Sequence, residues 1–540
     1  MEFDYVIVGG GSAGCVMAAR LSEDPAISVC LIEAGGEGRD LLVRAPMGVI
    51  GMISGRPKIN NYAYKTTPQK HLNNRRGFQP RGRALGGSSA INAMIYIRGH
   101  QADYDEWAAN GATGWSWSEV LPYFLKSEGN SRGADALRGA DGPLSVSDQR
   151  TPRNVTQAFL EASDELQLPR NDDFNGPQQQ GVGLWQVTQF ADGPKAGQRC
   201  SAAAAYLHDA MTRPNLHVIT KARVERITFD GPRATGVDYS KGGRKTVHAR
   251  REVILCAGAF GSPQLLQASG IGPAVHLRDL GIPVIHDAAQ VGGNLQDHLD
   301  FVLSYKTNDT NGLGLGIAGT RHLLREILKW RKDGTGMIAS PGSEAGAFLK
   351  TDPNLDRPDV QLHFVPAIVD DHVRKLHLGY GYSCHACILR PKSRGTVRLA
   401  SANMRDAPLI DPNFLSDERD AQGLLAATKL MRRIMDTSTM QAWRTAEIYT
   451  DGVTSDEELM QHIRARADTI YHPVGTCRMG TDTDAPCDPQ GRVNGVAGLR
   501  VVDASLMPTL IGGNTNAPTI MMAEKIAAGM HAGEPVARMQ

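Results

Sequence analysis

The sequence predicts an α/β domain with a largely parallel sheet, interwoven with an α+β domain that carries an antiparallel sheet. Three observations predict this fold class. A glycine-rich strand–turn–helix opens the chain, similar strands recur in two later blocks, and a run of short alternating strands separates those blocks. At 540 residues the chain also exceeds the size of one typical core, so two domains are expected.

The first element is a strand, a glycine turn and a helix. The apolar run Tyr5–Val8 leads into Gly9-x-Gly11-x-x-Gly14, and CVMAARLSE continues as a helix. Gly9 permits the tight turn, Gly11 lets backbone N–H groups approach a pyrophosphate, and Gly14 lets helix and strand pack closely. The pyrophosphate would lie at the helix N-terminus, where unpaired N–H groups and the positive end of the dipole favour an anion.

A second apolar strand, Val29–Ile32, leads into Glu33 about 20 residues after Gly14, where a carboxylate can accept hydrogen bonds from both ribose hydroxyls. An ordinary glycine-rich turn is the alternative. The order strand, motif, helix, strand and terminal acid favours a Rossmann-like site for the ADP half of a dinucleotide. Taken alone, this element permits NAD, NADP or FAD.

The remaining strands divide the chain into interleaved segments. We expect one domain to comprise residues 1–155, 200–298 and 465–540, because NLHVIT, TGVDYS and REVILCAGA in the second block are typical of strands. The substrate domain would comprise residues 156–199 and 299–464. Its short alternating strands predict an antiparallel sheet with helices on one side; they are LDFVLSYKT, GAFLKT, DVQLHFVPA, YSCHACILRP and GTVRLAS.

Charge and length exclude several classes of protein. A net charge of +1 leaves no basic excess to neutralise phosphates, so no nucleic acid partner is expected. No apolar window is long enough to span a membrane. The first strand begins near residue 5, which leaves no room for a signal peptide, and a cytoplasmic protein with reduced thiols is expected.

The segment HLLREILKWR, residues 322–331, is amphipathic, with Leu323, Leu324, Ile327 and Leu328 toward one side. An ordinary packed helix is the favoured interpretation, and a lid or a helix that touches a membrane from the cytoplasmic side is the alternative.

The eight cysteines are scattered along the chain. Cys384 and Cys387 form C-x-x-C, but neither a second such pair nor paired histidines accompany them, which disfavours zinc. The surrounding YSCHACILR alternates like a strand and would direct the two thiols to opposite faces. We expect two buried thiols and no metal.

Two further stretches contain small residues beside strands. Residues 81–99, RGRALGGSSAINAMIYIRG, contain the turn Gly86-Gly87-Ser88-Ser89, and Asn92 adds an amide that can donate and accept. This stretch is equally compatible with a second cofactor contact and with a loop of no chemical role. Residues 258–272, GAFGSPQLLQASGIG, read as a strand-to-helix junction with a structural role.

Tyr471-His472-Pro473 contains the best candidate base. Proline keeps the preceding backbone extended, and an imidazole of ordinary pKa can take a proton at neutral pH. A structural histidine is the alternative, and Gly475 nearby suggests close approach to a flat or charged group. Downstream, Asn514 and Asn516 lie in a polar loop before an apolar helix, whose positive end could point at an anionic ring.

Together these stretches resemble the glucose-methanol-choline (GMC) flavin oxidoreductases over essentially the full chain. The GGGSAG run with Glu33 is similar to the ADP-binding element, and RGRALGGSSAINAMIYIRG and GAFGSPQLLQASGIG are similar to the two family signatures. YHPVGTCRMG and GNTNAPTIMMAEKIA are similar to the catalytic C-terminal region. Bacterial alcohol and choline dehydrogenase-like members are the most similar.

The resemblance implies FAD rather than NAD, with its flavin buried between the two domains. Some choline-oxidising members attach FAD through a histidine where this chain has Ile91, so non-covalent FAD is expected. The residues implied at the cofactor are Gly9, Gly11, Ser12, Ala13, Gly14, Glu33 and Ala34 at the ADP end, Val224 at the adenine, Gly87, Ser88, Asn92, Ala93 and Met94 along the ribityl chain and flavin, and Tyr471, Asp503, Ala504, Asn516 and Pro518 around the ring.

The same resemblance implies His472 as the catalytic base, which takes the hydroxyl proton while hydride passes from the carbinol carbon to flavin N5. Asn514 occupies the position of the family's second catalytic residue, which is histidine or asparagine. The implied activity is oxidation of a primary alcohol to the aldehyde, with a quinone-type electron acceptor. An oxidase that reduces O2 to H2O2, a choline dehydrogenase and an FAD-containing lyase are the alternatives.

Glu344, in SEAGAF, bears on the choline alternative. It occupies a position where choline-oxidising relatives carry a glutamate that faces the substrate cation, although relatives acting on uncharged alcohols carry similar glutamates. One carboxylate can attract a quaternary ammonium. A neutral primary alcohol is favoured over choline.

Overall fold

The computed structural model describes residues 1–531. Fourteen strands form two large sheets: β1 (Glu2–Val8), β2 (Val29–Ile32), β3 (Gly181–Leu184), β4 (Leu216–Ile219), β5 (Arg223–Asp230), β6 (Arg233–Ser240), β7 (Arg244–Leu255), β8 (Leu299–Thr307), β9 (Ala345–Leu349), β10 (Val360–Val365), β11 (Tyr380–Ile388), β12 (Ala446–Ile448), β13 (Asp468–Thr469) and β14 (Leu499–Val501). Short strands pair in four small sheets: Tyr64–Lys65 with Phe78–Gln79, Glu128–Asn130 with Leu144–Val146, Ile271–Gly272 with His286–Asp287, and Thr396–Arg398 with Leu409–Asp411.

Nine longer helices accompany the sheets: α1 (Ser12–Leu21), α2 (Gln101–Ala109), α3 (Trp117–Ser127), α4 (Asn154–Glu165), α5 (Gly258–Ala268), α6 (Ile317–Asp333), α7 (Glu418–Met435), α8 (Asp456–Arg466) and α9 (Asn516–His531). Shorter helices are Leu41–Arg44, Val49–Ile53, His208–Ala210, Ala274–Asp279 and Ser438–Trp443.

The first sheet has the order β4-β2-β1-β7-β6-β5, and β14 also pairs with β7. The pairs among β4, β2, β1, β7 and β14 are parallel, whereas β5, β6 and β7 pair antiparallel. Its strands come from all three blocks of the chain that the sequence analysis singled out. The last part of the third block, residues 532–540, lies outside the described residues.

The glycine turn after β1 is held by close backbone packing. Gly9 has φ +98°, and a Cβ at Gly14 would lie 1.9 Å from the carbonyl oxygen of Gly9. Only glycine at position 14 therefore lets α1 approach β1 this closely, as the sequence analysis predicted. The turn consequently ends β1 and starts α1 at the rim of the sheet.

The second sheet is antiparallel throughout, with the order β12-β8-β11-β10-β9-β3 and β13 beside β8. One face packs on α4 and α7, and its side chains include Phe301, Leu362 and Ala386. The opposite face includes His363 and His385, which border a cavity. The predicted antiparallel sheet with helices on one side is confirmed, because alternation along each strand separates the two faces.

The two thiols of C-x-x-C follow this alternation. Cys384 belongs to the core under the helices, whereas Cys387 packs with Trp185 and Phe348 on the other face. All eight cysteines are free and buried. The described residues contain no group of three or more metal-ligating side chains.

The predicted amphipathic helix is α6, but its four apolar residues do not share one face. Leu323 and Ile327 pack beside Trp330, whereas Leu324 and Leu328 are 59% and 68% exposed. Positions four apart share a helix face, which groups residue 323 with 327 and 324 with 328. Within residues 1–531, no helix is long and apolar enough to cross a membrane.

Candidate active site

A cavity of about 410 Å³ lies between the two sheets. Eighteen of the twenty residues singled out from the sequence line it: Gly9, Gly11, Ser12, Ala13, Glu33, Ala34, Gly87, Ser88, Asn92, Ala93, Met94, Val224, Tyr471, His472, Asp503, Ala504, Asn514 and Asn516. The other two do not reach it. Gly14 lies where α1 packs on β1, and Pro518 is buried inside α9.

Gly11 differs from its neighbours in the turn. A Cβ there would meet only the carbonyl oxygen of Cys256, at 3.6 Å, which is ordinary contact distance. At Gly9, by contrast, a Cβ would lie 2.6 Å from the same oxygen. Protein packing therefore requires glycine at position 9 but leaves open space at Gly11, on the cavity wall.

Glu33 is buried at the end of β2 and is held by the backbone. Oε2 accepts from the N–H of Gly10 at 2.8 Å, and Oε1 accepts from the N–H of Gly35 at 2.6 Å. Burial raises the pKa of this carboxyl, and the backbone hydrogen bonds oppose that shift. Each oxygen keeps a lone pair for a further donor from a ligand in the cavity.

Two helix N-termini converge at one place on the wall. Ser12 begins α1 and Asn516 begins α9, and the Ser12 hydroxyl donates to Oδ1 of Asn516 at 2.7 Å. Farther along the two helices, Arg20 donates to Glu524, which holds them side by side. The positive ends of both dipoles therefore favour an anionic group at this wall.

The glycine–serine turn packs on the first glycine motif. A Cβ at Gly87, which has φ +53°, would lie 2.6 Å from the Cα of Gly11. Farther along, Oδ1 of Asn92 accepts from Nη1 of Arg199 at 2.8 Å and from the N–H of Met94 at 3.0 Å. The turn thus has both a packing role and a place on the cavity wall.

Asp503 connects the start of α5 to the segment after β14. Its Oδ2 accepts from the N–H of Gly258 at 2.8 Å and from the hydroxyl of Ser262 at 2.6 Å, and its Oδ1 accepts from Ser505. Burial raises the pKa of this carboxyl. The carboxylate fixes the loop that precedes the C-terminal lining residues.

His472 lies between a second histidine and Asn514. Its Nδ1 is 3.0 Å from Nδ1 of His298, and its Nε2 is 3.1 Å from Nδ2 of Asn514. The other ring nitrogen of His298, Nε2, is 3.0 Å from the carbonyl oxygen of Leu389. Asn514 in turn accepts at Oδ1 from Nε2 of Gln361, at 3.0 Å.

This chain of contacts assigns the tautomers. A carbonyl oxygen only accepts, so Nε2 of His298 carries the proton and its Nδ1 has the lone pair. Nδ1 of His472 must then donate to His298, which leaves the lone pair of His472 on Nε2. That nitrogen is on the Asn514 side, where the cavity lies.

The environment keeps both rings neutral. Burial, together with His298, His363 and Arg81 nearby, lowers the pKa of His472 well below its ordinary value. Burial also lowers the pKa of His298 to about 4. A neutral imidazole whose Nε2 has the lone pair is the form that can accept a proton, and in this structure that lone pair accepts from Asn514.

Sequence reasoning missed the residues that position His472. Asp297 accepts from the backbone N–H of His472 at 2.9 Å and lies directly before His298. Gln361 and His363 are two apart on β10 and share its cavity-side face. The signal available in the sequence was Gln296-Asp297-His298, three polar residues immediately before an apolar strand.

Two sequence expectations change in the structure. Gly475 does not line the cavity; a Cβ there would lie 2.6 Å from the carbonyl oxygen of Asn294, so backbone packing explains this glycine. Glu344 lines the cavity, but its carboxylate accepts from the hydroxyls of Ser340 and Thr156 at 2.8 and 2.6 Å and from the N–H of Arg153 at 2.8 Å. Its oxygens are therefore engaged by the protein.

Comparisons with known proteins cover the whole of this architecture. Family models described as GMC oxidoreductase match residues 3–300 and 391–523. An alcohol dehydrogenase (acceptor) of Pseudomonas putida is 46% identical over 97% of this chain and 95% of its own length.

Two further similar proteins are named for different activities. An oxygen-dependent choline dehydrogenase of Burkholderia vietnamiensis is 42% identical over 99% of this chain and 95% of its own length. The crystal structure of pyridoxine 4-oxidase from Mesorbium loti superposes with a TM-score of 0.88 at 32% identity, covering 98% of this chain and 99% of that one.

Proposed function

The chain belongs to the GMC oxidoreductase family, and from that premise we propose that it oxidises a primary alcohol to the aldehyde with His472 as the base and passes the electrons to a quinone-type acceptor. Members of this family bind FAD. The observation that carries the proposal is the lone pair on Nε2 of His472, which faces the cavity beside Asn514.

The cavity wall fits FAD. Gly11 leaves open space that no packing requirement explains, Glu33 keeps lone pairs for the ribose, and two helix N-termini favour an anion beside them. We propose that these groups hold the ADP end. Ile91, which also lines the cavity, stands where some choline-oxidising relatives carry the histidine that bonds FAD, and we propose that this chain holds FAD without a covalent bond. When bound, FAD supplies the acceptor for the hydride of the alcohol.

The protein residues handle the proton. A substrate hydroxyl beside His472 donates to Nε2 in place of the Asn514 amide, because Nδ1 already donates to His298. As hydride leaves the carbinol carbon, Nε2 takes the hydroxyl proton, and the ring becomes a cation between His298 and Asn514. Positioned proton transfer of this kind contributes about 10²- to 10⁴-fold to a rate.

Asn514 stabilises charge without titrating. Its Oδ1 is held by Gln361, which directs the amide N–H groups toward His472 and the hydroxyl beside it. A fixed donor aimed at oxygen charge that develops in the transition state commonly contributes about 3 kcal/mol.

Choline is disfavoured as the substrate. Three protein donors already hold the Glu344 carboxylate, and Arg153 places a positive charge beside it. A quaternary ammonium at this wall would meet the guanidinium.

The test is a panel of alcohols mixed anaerobically with the holoenzyme. Bleaching of the flavin absorbance is expected with primary alcohols, and the bleached enzyme should then reduce a quinone analogue faster than O2. Peroxide release at the rate of turnover would identify an oxidase instead. A flavin that no alcohol bleaches would contradict alcohol oxidation and favour the lyase alternative.

We also propose peripheral contact with a membrane through α6. Its exposed Leu324 and Leu328 lie among exposed Arg321, Arg325 and Lys329, a pattern that suits an anionic lipid surface. Co-flotation with vesicles that contain anionic lipid is expected, and Leu324→Ser with Leu328→Ser should reduce it. Unchanged flotation of the double variant would contradict this contact.

A further inference from the structure

Arg153 places its guanidinium at the cavity wall, beside the carboxylate of Glu344. It is the residue immediately before α4, and it is only 5% exposed. Its Nε and Nη2 are buried and have no hydrogen-bond partner among the 531 described residues. The carboxylate oxygen nearby, Oε1 of Glu344, is 3.8 Å from Nε, which is beyond hydrogen-bond distance.

The hydrogen bonds of Glu344 explain why its carboxylate and the Arg153 guanidinium are not hydrogen-bonded to each other. The backbone N–H of Arg153, rather than its side chain, donates to Glu344, and the hydroxyls of Thr156 and Ser340 donate to it as well. These donors hold the carboxylate at the start of α4, and Arg153 borders the cavity. Buried charged donors are normally paired, so an oxygen acceptor from a bound molecule would complete the site.

Apolar side chains also line the cavity on this side, beside the polar Ser340 and Glu344. The N–H of Gly336 donates to Thr151 at 3.1 Å, which brings the segment after α6 beside Arg153. That segment contributes Met337 to the lining, and Met47 and Val365 also line the cavity. These apolar side chains suit a ligand that carries a polar group at the end of an apolar portion.

Strand β10 relates the surroundings of Asn514 to those of Glu344, the ion-pair partner of Arg153. Gln361 contacts Asn514, and Phe364, three residues farther along β10, accepts at its carbonyl from the N–H of Glu344 at 3.0 Å. Three residues of a strand span about 10 Å. His363 lies between these points with both ring nitrogens unpartnered among the described residues.

We propose that Arg153 determines specificity by binding a carboxylate at the far end of the substrate, so that the enzyme acts on hydroxy acids with an apolar chain between hydroxyl and carboxylate. A carboxylate offers two oxygens in the spacing of a guanidinium fork and matches its charge. The inference rests on the proposed alcohol oxidation and adds the class of alcohol.

The first test compares ω-hydroxyalkanoates with alkan-1-ols of equal chain length. The wild-type holoenzyme should have the higher kcat/KM for the acid, and Arg153→Met should lower the acid-to-alkanol ratio by about tenfold or more. Arg150→Met, a neighbouring arginine that does not line the cavity, is the matched control and should leave the ratio unchanged. FAD content and melting temperature verify that each variant folds.

If Arg153→Met lowers the acid-to-alkanol ratio of kcat/KM by clearly less than about tenfold, the proposal is overturned. An equal preference for the methyl ester of the same hydroxy acid would also overturn it, since the ester keeps the oxygens but loses the charge.

A second measurement needs neither turnover nor the variant. An alkanoate without a hydroxyl should bind the wild-type holoenzyme and perturb the flavin spectrum, whereas an alkyltrimethylammonium of equal length should not. The reverse order would overturn the role of Arg153. If alkanols and hydroxy acids both fail to bleach the flavin, the proposed function fails, and alkanoate binding still decides whether Arg153 binds a carboxylate.

Discussion

The two ends of the cavity are built from different materials. At the proposed ADP end, the wall consists mainly of backbone N–H groups, glycines and one carboxylate from residues 9–35, joined by the start of α9. At the proposed reaction end, side chains of His298, Gln361, His472 and Asn514 meet from four distant parts of the chain.

This difference explains which kind of site can be identified from the sequence alone. A backbone site requires special conformations, which glycine supplies, so its pattern is local and readable. A side-chain network requires only ordinary residues in ordinary strands and loops, and it depends on which of them the fold brings together. The predictions below probe the two ends separately.

The largest effect is expected at the reaction end. His472→Ala should lower the rate of flavin reduction by alcohol by about 10³-fold or more, because the proton acceptor is lost. FAD should stay bound, since the ADP end is untouched. Anaerobic stopped-flow absorbance measures the rate, and His217→Ala, on the exposed side of β4, is the control. Near-normal reduction in His472→Ala would remove this residue from the chemistry.

Asn514→Ala should have the next largest effect. Loss of a fixed donor to the developing oxygen charge lowers such rates by about 10²-fold. Asn514→His should retain part of the rate because imidazole can also donate. The same stopped-flow measurement applies, and equal losses in the two variants would argue against a hydrogen-bonding role.

His298→Phe should lower flavin reduction by about tenfold, because Nδ1 of His472 loses its acceptor and the ring is no longer held in one tautomer. His298→Asn offers an acceptor oxygen and should recover part of the loss. A decrease of the same size in both variants would indicate a packing role only.

The pH profile separates this role from simple packing. In the wild type, the lowered pKa of His472 keeps the base unprotonated as pH falls, so the acid limb of kcat/KM should lie below pH 6.5. His298→Phe should shift the acid limb to higher pH, because His298 contributes to the lowered pKa of His472. An acid limb above pH 7 in the wild type would contradict the assignment of the base.

The smallest effect on chemistry is expected at the ADP end. Gly11→Ala should weaken FAD binding by about tenfold, since the new methyl group enters the space of the pyrophosphate while meeting no protein atom closer than 3.6 Å. Melting of the apoprotein should be unchanged. Gly36→Ala, where a Cβ also meets open space away from the cavity, is the control. Unchanged FAD affinity would argue against a pyrophosphate at Gly11.

Much of the fold could be predicted because its signals are local. The alternation in LDFVLSYKT and YSCHACILRP gave a sheet with one helix-covered face, and the structure confirms it. The apolar face of the amphipathic helix was predicted too wide, because Leu323 and Ile327 pack on the core whereas Leu324 and Leu328 are exposed. A glycine in the sequence does not by itself show why glycine is required at that position. Gly11 faces the cavity, whereas Gly475 packs against Asn294.

The sequence by itself determined the dinucleotide motif, the two-sheet architecture and the candidate base. Each depends on neighbours within a strand, a turn or a helix, where residue type and spacing dictate conformation. The fold alone shows that His298 sets the tautomer of His472, that protein donors hold Glu344, and that Nε and Nη2 of Arg153 have no hydrogen-bond partner among the described residues. Hydrogen bonds of buried side chains join residues far apart in the chain, and their partners are selected by packing rather than by spacing.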